Sequence, residues 1–530
     1  MRSNLSLLCF LAAILFSGCQ PLFGQTSGTN PVVKTESGFS SGSSVAAGEV
    51  SVFKGVPYAT PPVGTLRWRP PKRVGRWEGV RPATKFGPSC ETNEDCLYLN
   101  VWTPADALPA SLPVMVWIHG GGFSSGAGSH PVYDGTRFAQ TGVVLITINY
   151  RLHFFGAFAH PELSRESPHG ASGNYSLLDQ IEALKWIQRN VGAFGGDPTR
   201  VTIFGQSAGG RSVSVLMVSP LAKGLFHRAI GHSGALRDVS FTLNSREEIG
   251  VEIAKAVGCN ISNALICLRG KSLEQLMVAR SVLNTNPIVD GWVIPEDPVA
   301  MYAKGDQHDV PMIIGSNAHE ATFWWGDGLR FHLPSTYEEY QGYFRDVYGT
   351  RADQVLAFYD PVNEGDLTDA FIRYQTDVGL TVPARSQARW MTNVSSDAYL
   401  YFFSRVPPDP KMKRWGASHS TETRYVFNTF EGSDTDRIFG VGDPTLLEDV
   451  DWQLSTAMMT YWVQFATSGD PNGEGLPHWT PYGLATDSRM ELGTEIKMRR
   501  AVRGPGENLL QLLMLETYLT GETRPSPIAR

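Results

Sequence analysis

The sequence predicts an α/β fold in which a mostly parallel central sheet is covered by helices on both faces. Three observations lead to this prediction. Several short runs rich in β-branched and aromatic residues end at Gly, Pro or Asn, as strands do. These runs are almost continuously apolar, which is typical of parallel strands buried on both faces. A segment with helical periodicity lies between two of them, and the order strand, helix, strand indicates a parallel sheet.

The predicted elements follow one another along the chain. An edge strand in EVSVFKGVPY leads into a Pro-rich loop, and further strands are predicted in LYLNVWTP, LPVMVWIHGGGF, VVLITINYRL and TRVTIFGQS. Residues 176–191 are predicted to form an amphipathic helix, because Leu177, Ile181 and Leu184 recur at helical spacing. From about residue 240 to 395 helical pieces dominate, which predicts a large helical insertion over the sheet. The strand runs VPMIIGSN and AYLYFFSRV and the helical runs WQLSTAMMTYWVQFAT and NLLQLLMLETYL complete the pattern.

The bulk composition excludes several classes of protein. The 530 residues are 42% apolar and 18% charged, which is ordinary for a globular protein. A formal net charge of −7 gives no electrostatic basis for binding nucleic acid or an anionic membrane. No repeat of fixed period is present, so one domain is predicted over residues 45–525, after a Ser/Gly-rich linker at 26–44.

The first 25 residues are predicted to be an export signal rather than part of the fold. Arg2 precedes an apolar run from Leu5 to Phe16, which is shorter than the roughly twenty residues that a membrane span needs. A basic start, a short apolar segment and small residues after it are typical of a secretory signal peptide. The run LFSGC also resembles a lipoprotein cleavage box, in which case Cys19 carries a lipid anchor. Both alternatives predict an exported protein that is secreted, periplasmic or anchored as a lipoprotein.

Four cysteines follow the export segment: Cys90, Cys96, Cys259 and Cys267. An even number in an exported chain indicates disulfides, and the sequence alone permits three ways of pairing them. The spacing favours two local pairs, Cys90–Cys96 and Cys259–Cys267, with free buried thiols as the alternative. No paired Cys-x-x-Cys motif of a zinc site is present.

The run GQSAG fits the pattern Gly-x-Ser-x-Gly, in which a serine lies on a sharp turn between a strand and a helix. The apolar run VTIF precedes it and GRSVSVLMV follows it, which is the context that this turn requires. Glycines at both ends avoid collisions with the neighbouring strand and helix. The serine hydroxyl is then exposed at a helix N-terminus, where the helix dipole favours negative charge. Ser207 is therefore predicted to be a catalytic nucleophile.

A serine nucleophile needs donors for the oxyanion that forms during its attack. The run HGGGF directly follows the strand run VMVWI, and consecutive glycines can turn their backbone N–H groups toward one point. Gly121, Gly122 and Ala208 are the predicted donors, and a flexible glycine hinge is the alternative.

The remaining members of a triad are expected in the order Ser, acid, His. Glu320 follows the strand run VPMIIGSN, and His419 follows AYLYFFSRV among small neighbours that leave room for an imidazole. Both are predicted to act with Ser207. This setting is missing around the competing histidines His308, His332 and His478.

Several segments together resemble the type-B carboxylesterase family, the relatives of cholinesterases. They are EDCLYLNVW, WIHGGGF, NYRL, GNYSLLDQ, FGGDPTRVTIFGQSAGG, GSNAHE and GASHSTE, in the family's order from about residue 45 to about 485. The resemblance implies the α/β-hydrolase fold. It also implies that the family's triad and oxyanion donors correspond to Ser207, Glu320, His419, Gly121, Gly122 and Ala208. Family disulfides match Cys96 and the Cys259–Cys267 loop, whereas Cys90 lies unusually close to Cys96.

A few positions differ from the family pattern or extend it. Gln206 stands where the family usually has Glu, which removes a negative charge beside the nucleophile. His153 replaces a glycine or another small residue, and we expect it near the pocket or as an exposed loop residue. Trp324 and Trp325 are expected to line the acyl or alcohol pocket, or else to pack in the core.

Single residues exclude two other enzyme classes. The run HEATF lacks the second histidine of the zinc-protease motif, because Phe323 stands at its position. The run RGKS at Arg269 resembles the end of a phosphate loop, but Leu265 replaces the first glycine of that motif. The main rival is a non-catalytic adhesion protein with the same scaffold, whose relatives have lost the nucleophile.

The sequence therefore predicts a serine hydrolase that cleaves carboxylic esters of small molecules through an acyl-enzyme, without a metal or an organic cofactor. Amides, carbamates and lactones are alternative substrates. The sequence specifies neither the ester nor the oligomeric state.

Overall fold

The computed structural model describes residues 30–107, 111–236, 241–259, 263–279, 283–325, 333–361, 367–433, 438–500 and 504–520. The predicted export segment, residues 1–25, and Cys19 within it lie outside these ranges.

The described strands form one large sheet and one small sheet. The strands are β1 (Val32–Thr35), β2 (Gly38–Ser41), β3 (Ser43–Val45), β4 (Val50–Pro57), β5 (Val80–Pro82), β6 (Tyr98–Pro104), β7 (Leu112–Ile118), β8 (Val144–Ile148), β9 (Gly196–Gln206), β10 (Arg228–His232), β11 (Met312–Asn317), β12 (Ala398–Phe403), β13 (Ser488–Leu492) and β14 (Ile496–Arg500). Eleven of them form the large sheet in the order β14-β13-β12-β11-β10-β9-β7-β8-β6-β4-β3, and β1, β2 and β5 form the small one. The strands from β13 to β8 in this order are parallel, with antiparallel strands at both edges. The predicted mostly parallel sheet is confirmed.

The helices connect these strands. They are α1 (Thr136–Gln140), α2 (His153–Ala157), α3 (Pro161–Glu166), α4 (Tyr175–Asn190), α5 (Ala208–Leu216), α6 (Leu243–Ala256), α7 (Ala264–Gly270), α8 (Leu273–Met277), α9 (Pro298–Lys304), α10 (Thr322–Trp325), α11 (Tyr337–Tyr348), α12 (Ala352–Tyr359), α13 (Leu367–Thr376), α14 (Val382–Met391), α15 (Glu422–Phe427), α16 (Asp449–Ser468) and α17 (Gly504–Thr520). A π-helical turn, Asp377–Thr381, joins α13 to α14. Short 3-10 turns lie at Ala46–Gly48, Gly64–Leu66, Pro131–Tyr133, Val191–Phe194, Pro220–Ala222, Gly349–Arg351 and Pro444–Leu446.

The large sheet is buried on both faces, as strand β7 illustrates. Successive side chains of a strand point to opposite faces. Val114, Val116 and Ile118 belong to one hydrophobic core, which includes side chains of α4. Met115 and Trp117 belong to a second core, which includes side chains of α16. Continuous apolar strands are therefore required here, because neither face is solvated.

The predicted helical insertion contains helices α6 to α14 and strand β11. Helices α11, α12 and α13 pack with α17 around a third hydrophobic core, separate from the two cores on the sheet.

The prediction of a linker at 26–44 is wrong for its described part, because residues 32–45 form β1, β2 and β3. The small residues serve close packing. A Cβ atom on Gly38 would lie 2.5 Å from Nε1 of Trp77, and this indole nitrogen donates a hydrogen bond to the Phe39 carbonyl oxygen at 2.8 Å. The folded unit therefore begins before residue 45, the start that the sequence suggested.

Both local disulfides favoured by the spacing are formed, Cys90–Cys96 and Cys259–Cys267. Each closes a short loop, which the chain-entropy model values at about 2 kcal/mol. In the described ranges, no helix is both long and apolar enough to cross a membrane.

The arrangement of parallel strands determines where a site can form. The carboxyl ends of β7, β9, β10, β11 and β12 lie at the same edge of the sheet, since these strands are parallel neighbours. The segments that follow them contain the glycine run and all three predicted triad residues. Ligand sites of open α/β sheets form at this edge.

Candidate active site

Ser207 lies on a strained turn between the end of β9 and the start of α5. Its backbone has φ 57° and ψ −119°. A side-chain-bearing residue in such a conformation costs on the order of 1–3 kcal/mol, and surrounding contacts must hold it there. The backbone N–H of Ser207 donates to the carbonyl oxygen of His232 at 2.9 Å, and the N–H of Arg211 donates to the carbonyl oxygen of Ser207 at 2.8 Å. The backbone of the candidate nucleophile is thus hydrogen-bonded to β10 on one side and to its own helix, α5, on the other.

The two glycines of the GQSAG run are needed because α5 approaches β7 closely. A Cβ on Gly209 would lie 1.9 Å from the carbonyl oxygen of Ile118, and a Cβ on Gly205 would lie 2.6 Å from that oxygen. Any larger residue at either position would separate the helix from the sheet and displace Ser207.

His419 is bonded at both ring nitrogens. Nδ1 lies 2.5 Å from Oε2 of Glu320, and Nε2 lies 3.1 Å from Nε2 of Gln206. A carboxylate can only accept a hydrogen bond, and the NH₂ group of the Gln206 side-chain amide can only donate one. The pair therefore favours the tautomer with its proton on Nδ1 and its lone pair on Nε2, which a general base requires.

The structure places Gln206, rather than Ser207, against the base. Among the hydrogen bonds of the described residues, none joins Nε2 of His419 to the Ser207 hydroxyl. Gln206 directly precedes Ser207, so its contact with the imidazole brings His419 to the nucleophile turn. The sequence pointed only to the lost charge at position 206, and this direct contact with the imidazole was missed.

Glu320 is fully buried at the acid end of this arrangement. Its Oε1 accepts the backbone N–H of Asn317 at 2.7 Å. The side-chain amide of Asn317 donates to Glu422, a second buried carboxyl group, and to the carbonyl oxygen of Ser418 at 2.7 Å. One asparagine at the end of β11 therefore holds two carboxyl groups and the segment before His419.

Glu422 is a buried acid that the sequence did not single out. Burial and the neighbouring charge of Glu320 raise the pKa of its carboxyl to about 8. Its Oε1 lies 3.9 Å from Nδ1 of His232, and both atoms are buried without a hydrogen-bond partner among the described residues, as is the Tyr401 hydroxyl. Nε2 of His232 accepts the indole N–H of Trp462 at 2.8 Å, and burial lowers the His232 pKa to about 3. Burial thus favours the uncharged forms of both Glu422 and His232.

We expect the Glu422 carboxyl to make stability depend on pH. The folded state holds its proton more tightly than the unfolded chain, so its contribution is complete below about pH 4.5 and is lost as pH rises through about 8. Glu422→Gln should therefore raise the melting temperature relative to the parent by a few degrees more at pH 8.5 than at pH 5, on an order-of-magnitude basis. Differential scanning fluorimetry at both pH values measures this, with the exposed Glu252→Gln variant as control. A melting-temperature difference that does not change with pH would contradict the assignment.

Two residues of the glycine run have positive φ angles, which glycine adopts without strain. Gly121 has φ 101° and Gly122 has φ 62°. A Cβ on Gly121 would lie 2.2 Å from the carbonyl oxygen of Ser125. Gly120 packs against the nucleophile turn, since its Cβ would lie 3.1 Å from Cβ of Ser207. Ala208 is the first residue of α5, so its N–H has no acceptor within the helix. Ala208 thus directly follows Ser207, and the glycine run contacts the nucleophile turn through Gly120.

Aromatic and histidine side chains enclose the site. The Trp324 ring centroid lies 4.7 Å from the imidazole of His419, whereas the side chain of Trp325 lies outside the described residues. His153 is buried, so its expected alternative as an exposed loop residue is wrong; its N–H donates to the Phe123 carbonyl oxygen at 2.9 Å, behind the glycine run. Burial lowers the pKa of His119 to about 4, which keeps this residue neutral beneath the loop.

Metal-ligating residues are not clustered here. In the part of the chain that the structure describes, no group of three or more His, Cys, Asp or Glu side chains could hold a metal ion.

Comparisons with known proteins identify relatives over nearly the whole chain. The sequence model described as the carboxylesterase family matches residues 29–508. The fumonisin B1 esterase of Sphingopyxis macrogoltabida is 36% identical over 515 residues, covering 92% of this chain and 90% of that protein. The cocaine esterase of Homo sapiens is 35% identical, with 95% and 94% coverage. A solved PNB esterase superposes with a TM-score of 0.78 at 32% identity, covering 91% of this chain and all of that one.

Proposed function

This chain belongs to the carboxylesterase family and is a carboxylic ester hydrolase, and from that premise we propose that it works through an acyl-enzyme on Ser207. The proposed triad is Ser207, His419 and Glu320, with Gly121, Gly122 and Ala208 as oxyanion donors. The observation that carries the proposal is the 2.5 Å contact between Glu320 and Nδ1 of His419, which leaves the Nε2 lone pair at the nucleophile turn.

In the first step, the Ser207 hydroxyl attacks the ester carbonyl carbon while Nε2 of His419 takes its proton. For this step, the serine hydroxyl replaces the Gln206 side-chain amide as the hydrogen-bond partner of Nε2. The N–H groups of the oxyanion donors bind the negative oxygen that forms, and removal of one such donor typically lowers the rate by about 10²–10³-fold. The α5 N-terminus adds a favourable dipole at the same place.

In the second step, the imidazolium of His419 protonates the departing alkoxide, and the acyl group stays on Ser207. A water then attacks the acyl carbonyl as His419 takes its proton, and the serine hydroxyl is restored when the acid leaves. Glu320 keeps the proton of Nδ1 in place and stabilises the imidazolium in both halves of the cycle.

The alternative of a non-catalytic adhesion protein is less well supported. A scaffold without catalysis has no need for the strained Ser207 conformation, the glycine contacts around it, or a buried carboxylate bonded to an imidazole. Amides, carbamates and lactones share the same acyl chemistry and belong in the substrate panel. The two disulfides support the further proposal that the protein works in an oxidising compartment, as an exported protein does.

We expect hydrolysis of 4-nitrophenyl acetate to begin with a burst of 4-nitrophenol equal to the enzyme concentration. The burst arises where acylation of Ser207 is faster than hydrolysis of the acyl-enzyme. Stopped-flow absorbance measures the burst, and mass spectrometry of acid-quenched enzyme should place the acetyl group on the peptide that contains Ser207.

An acetyl group on any other residue, or ester turnover with no trapped acyl-enzyme, would contradict the proposal. Fumonisin B1 and cocaine, which the names of two relatives mention, are the first natural-product esters that we propose to test.

A further inference from the structure

We propose that Thr285 is a positioning residue of the oxyanion loop, residues 120–125. Its hydroxyl holds this loop in the conformation in which the N–H groups of Gly121 and Gly122 can bind an oxyanion. The inference rests on the proposed function, because it concerns the donors that the proposed acyl transfer requires. No motif around Thr285 indicates this role in the sequence, since its hydrogen bond to the loop joins residues 163 positions apart.

The glycines of the oxyanion loop depend on hydrogen bonds to keep one conformation. Gly121 and Gly122 have positive φ angles, and both residues are exposed. A Cβ atom on Gly122 would meet no atom within 4 Å, so close packing does not restrain this residue. Glycine also has a wider choice of backbone conformations than any other residue. The orientation of its peptide groups must therefore be fixed by their hydrogen-bond partners.

The first half of the loop is fixed by its own backbone. The N–H groups of Ser124 and Ser125 both donate to the carbonyl oxygen of Gly121 at 3.0 Å. Because the peptide bond is planar and trans, the N–H of Gly122 points away from that carbonyl. Among the hydrogen bonds of the described residues, none uses the N–H of Gly121 or of Gly122. Both groups are therefore available to a bound ligand.

Thr285 fixes the second half of the loop. Its hydroxyl donates to the carbonyl oxygen of Gly122 at 2.8 Å. The Ser124 hydroxyl lies 3.1 Å from the Thr285 hydroxyl oxygen and 3.3 Å from the same Gly122 carbonyl oxygen. A hydroxyl has one proton, so Thr285 donates to Gly122 and accepts from Ser124. With the carbonyl groups of Gly121 and Gly122 both held, the peptide planes on the two sides of the Gly122 Cα are fixed.

Thr285 is itself held by contacts to the residues on both sides of it. Arg246 is fully buried, and its guanidinium donates to the carbonyl oxygen of Asn284 and, at 3.1 Å, to that of Asn286. The side chain of Asn286 is held as well, because Nη1 of Arg211 donates to its Oδ1 at 2.8 Å. Arg211 lies on α5, so this segment connects the oxyanion loop to the helix that follows the nucleophile turn.

The Thr285 contact should stabilise the transition state rather than the bound substrate. The carbonyl oxygen of an ester is uncharged when the substrate binds and becomes negative only as Ser207 attacks. Without the Thr285 hydroxyl the site is still open to the ester, but the N–H groups of the loop no longer keep one direction. Loss of a whole oxyanion donor typically lowers the rate by about 10²–10³-fold, and a donor that is only less well oriented should cost less.

The first test compares Thr285→Val, which replaces the hydroxyl with a methyl group of similar size, and Thr285→Ser, which retains the hydroxyl. With 4-nitrophenyl butanoate, we expect Thr285→Val to lower kcat by about tenfold or more and to change KM by less than about threefold. Thr285→Ser should keep at least about half of the parent kcat. Thr392→Val is the matched control and should retain full activity. Thr392 is exposed at the end of α14, and its hydroxyl also donates to a backbone carbonyl oxygen, that of Arg389, at 2.7 Å.

A trifluoromethyl ketone separates orientation of the donors from general disruption of the site. Its carbonyl carbon forms a bond to Oγ of Ser207, the hydroxyl proton passes to Nε2 of His419, and the carbonyl oxygen becomes an oxyanion. The corresponding trifluoromethyl alcohol has a similar shape and cannot form this bond. For Thr285→Val we expect the inhibition constant of the ketone to rise by about tenfold or more, and that of the alcohol to change by less than about twofold.

Three results would each overturn the inference: a kcat of Thr285→Val within about twofold of the parent, an equal loss in Thr285→Ser, or an equal rise in both inhibition constants. Where a thermal melt shows that Thr285→Val is unfolded, Thr285→Ala is measured in its place by the same criteria. In each of these cases, a Ser207 acyl-enzyme in the parent leaves the proposed function intact. A parent enzyme that forms neither an acyl-enzyme nor a complex with the ketone would refute the proposed function as well.

Discussion

Ser207→Ala should lower kcat for ester hydrolysis by roughly 10⁶-fold, the effect seen when a triad serine is removed. The substitution deletes only the hydroxyl oxygen that becomes covalently bonded to the acyl group. The backbone contacts of residue 207, with His232 and Arg211, do not involve the side chain and are retained. Steady-state kinetics with 4-nitrophenyl butanoate measures the loss, and a thermal melt establishes that the variant is folded.

The matched control for this variant is Ser335→Ala, which removes an exposed hydroxyl that donates a hydrogen bond to Glu339. It should retain full activity. Residual turnover of Ser207→Ala within tenfold of the parent would mean that another group attacks the ester.

Glu320→Gln should lower kcat by roughly 10⁴-fold, the size of effect found when a triad acid becomes an amide. The reason lies in the two hydrogen bonds that the Glu320 carboxylate accepts. The backbone N–H of Asn317 requires an acceptor, so the new amide keeps its oxygen there and turns its NH₂ toward His419. A donor facing Nδ1 favours the tautomer with the proton on Nε2, and the lone pair needed to activate Ser207 is lost.

The burst rate with 4-nitrophenyl acetate reports this acylation defect directly, whereas KM should change far less. Glu422→Gln is the matched control, since it alters a neighbouring buried carboxyl group that is hydrogen-bonded to Asn317 and not to the imidazole of His419. An equal loss in both variants would indicate a general effect of disturbing the buried carboxyl groups rather than a specific role for Glu320.

Much of the fold could be predicted because its signals are local. Strand β9, the turn at Ser207 and helix α5 lie within one short run, where strand residues, glycines and helical periodicity follow one another. The two local disulfides were predicted from spacing and are formed. The sequence predicts a linker where β1 to β3 lie, because composition does not show that an indole packs against Gly38.

The partners of the site residues could not be predicted because they are distant in sequence. The hydrogen bond between Gln206 and His419 joins residues 213 positions apart in the sequence, and that between Arg211 and Asn286 joins residues 75 positions apart. Glu422 lies within the quoted run GASHSTE, yet only burial beside Glu320 distinguishes it from an exposed helix-capping acid. Sequence periodicity predicts which positions are buried. The hydrogen-bond partner of a buried polar group depends on contacts between residues that are distant in sequence.

The parallel strands that supply the site have a consequence for how activity arises during synthesis. The glycine loop follows β7, the proposed nucleophile follows β9, the proposed acid follows β11 and the proposed base follows β12. An incomplete nascent chain that ends before residue 419 therefore lacks the proposed base and is inactive. Turnover thus reports that synthesis has passed the strands β7, β9, β11 and β12 that precede the site segments.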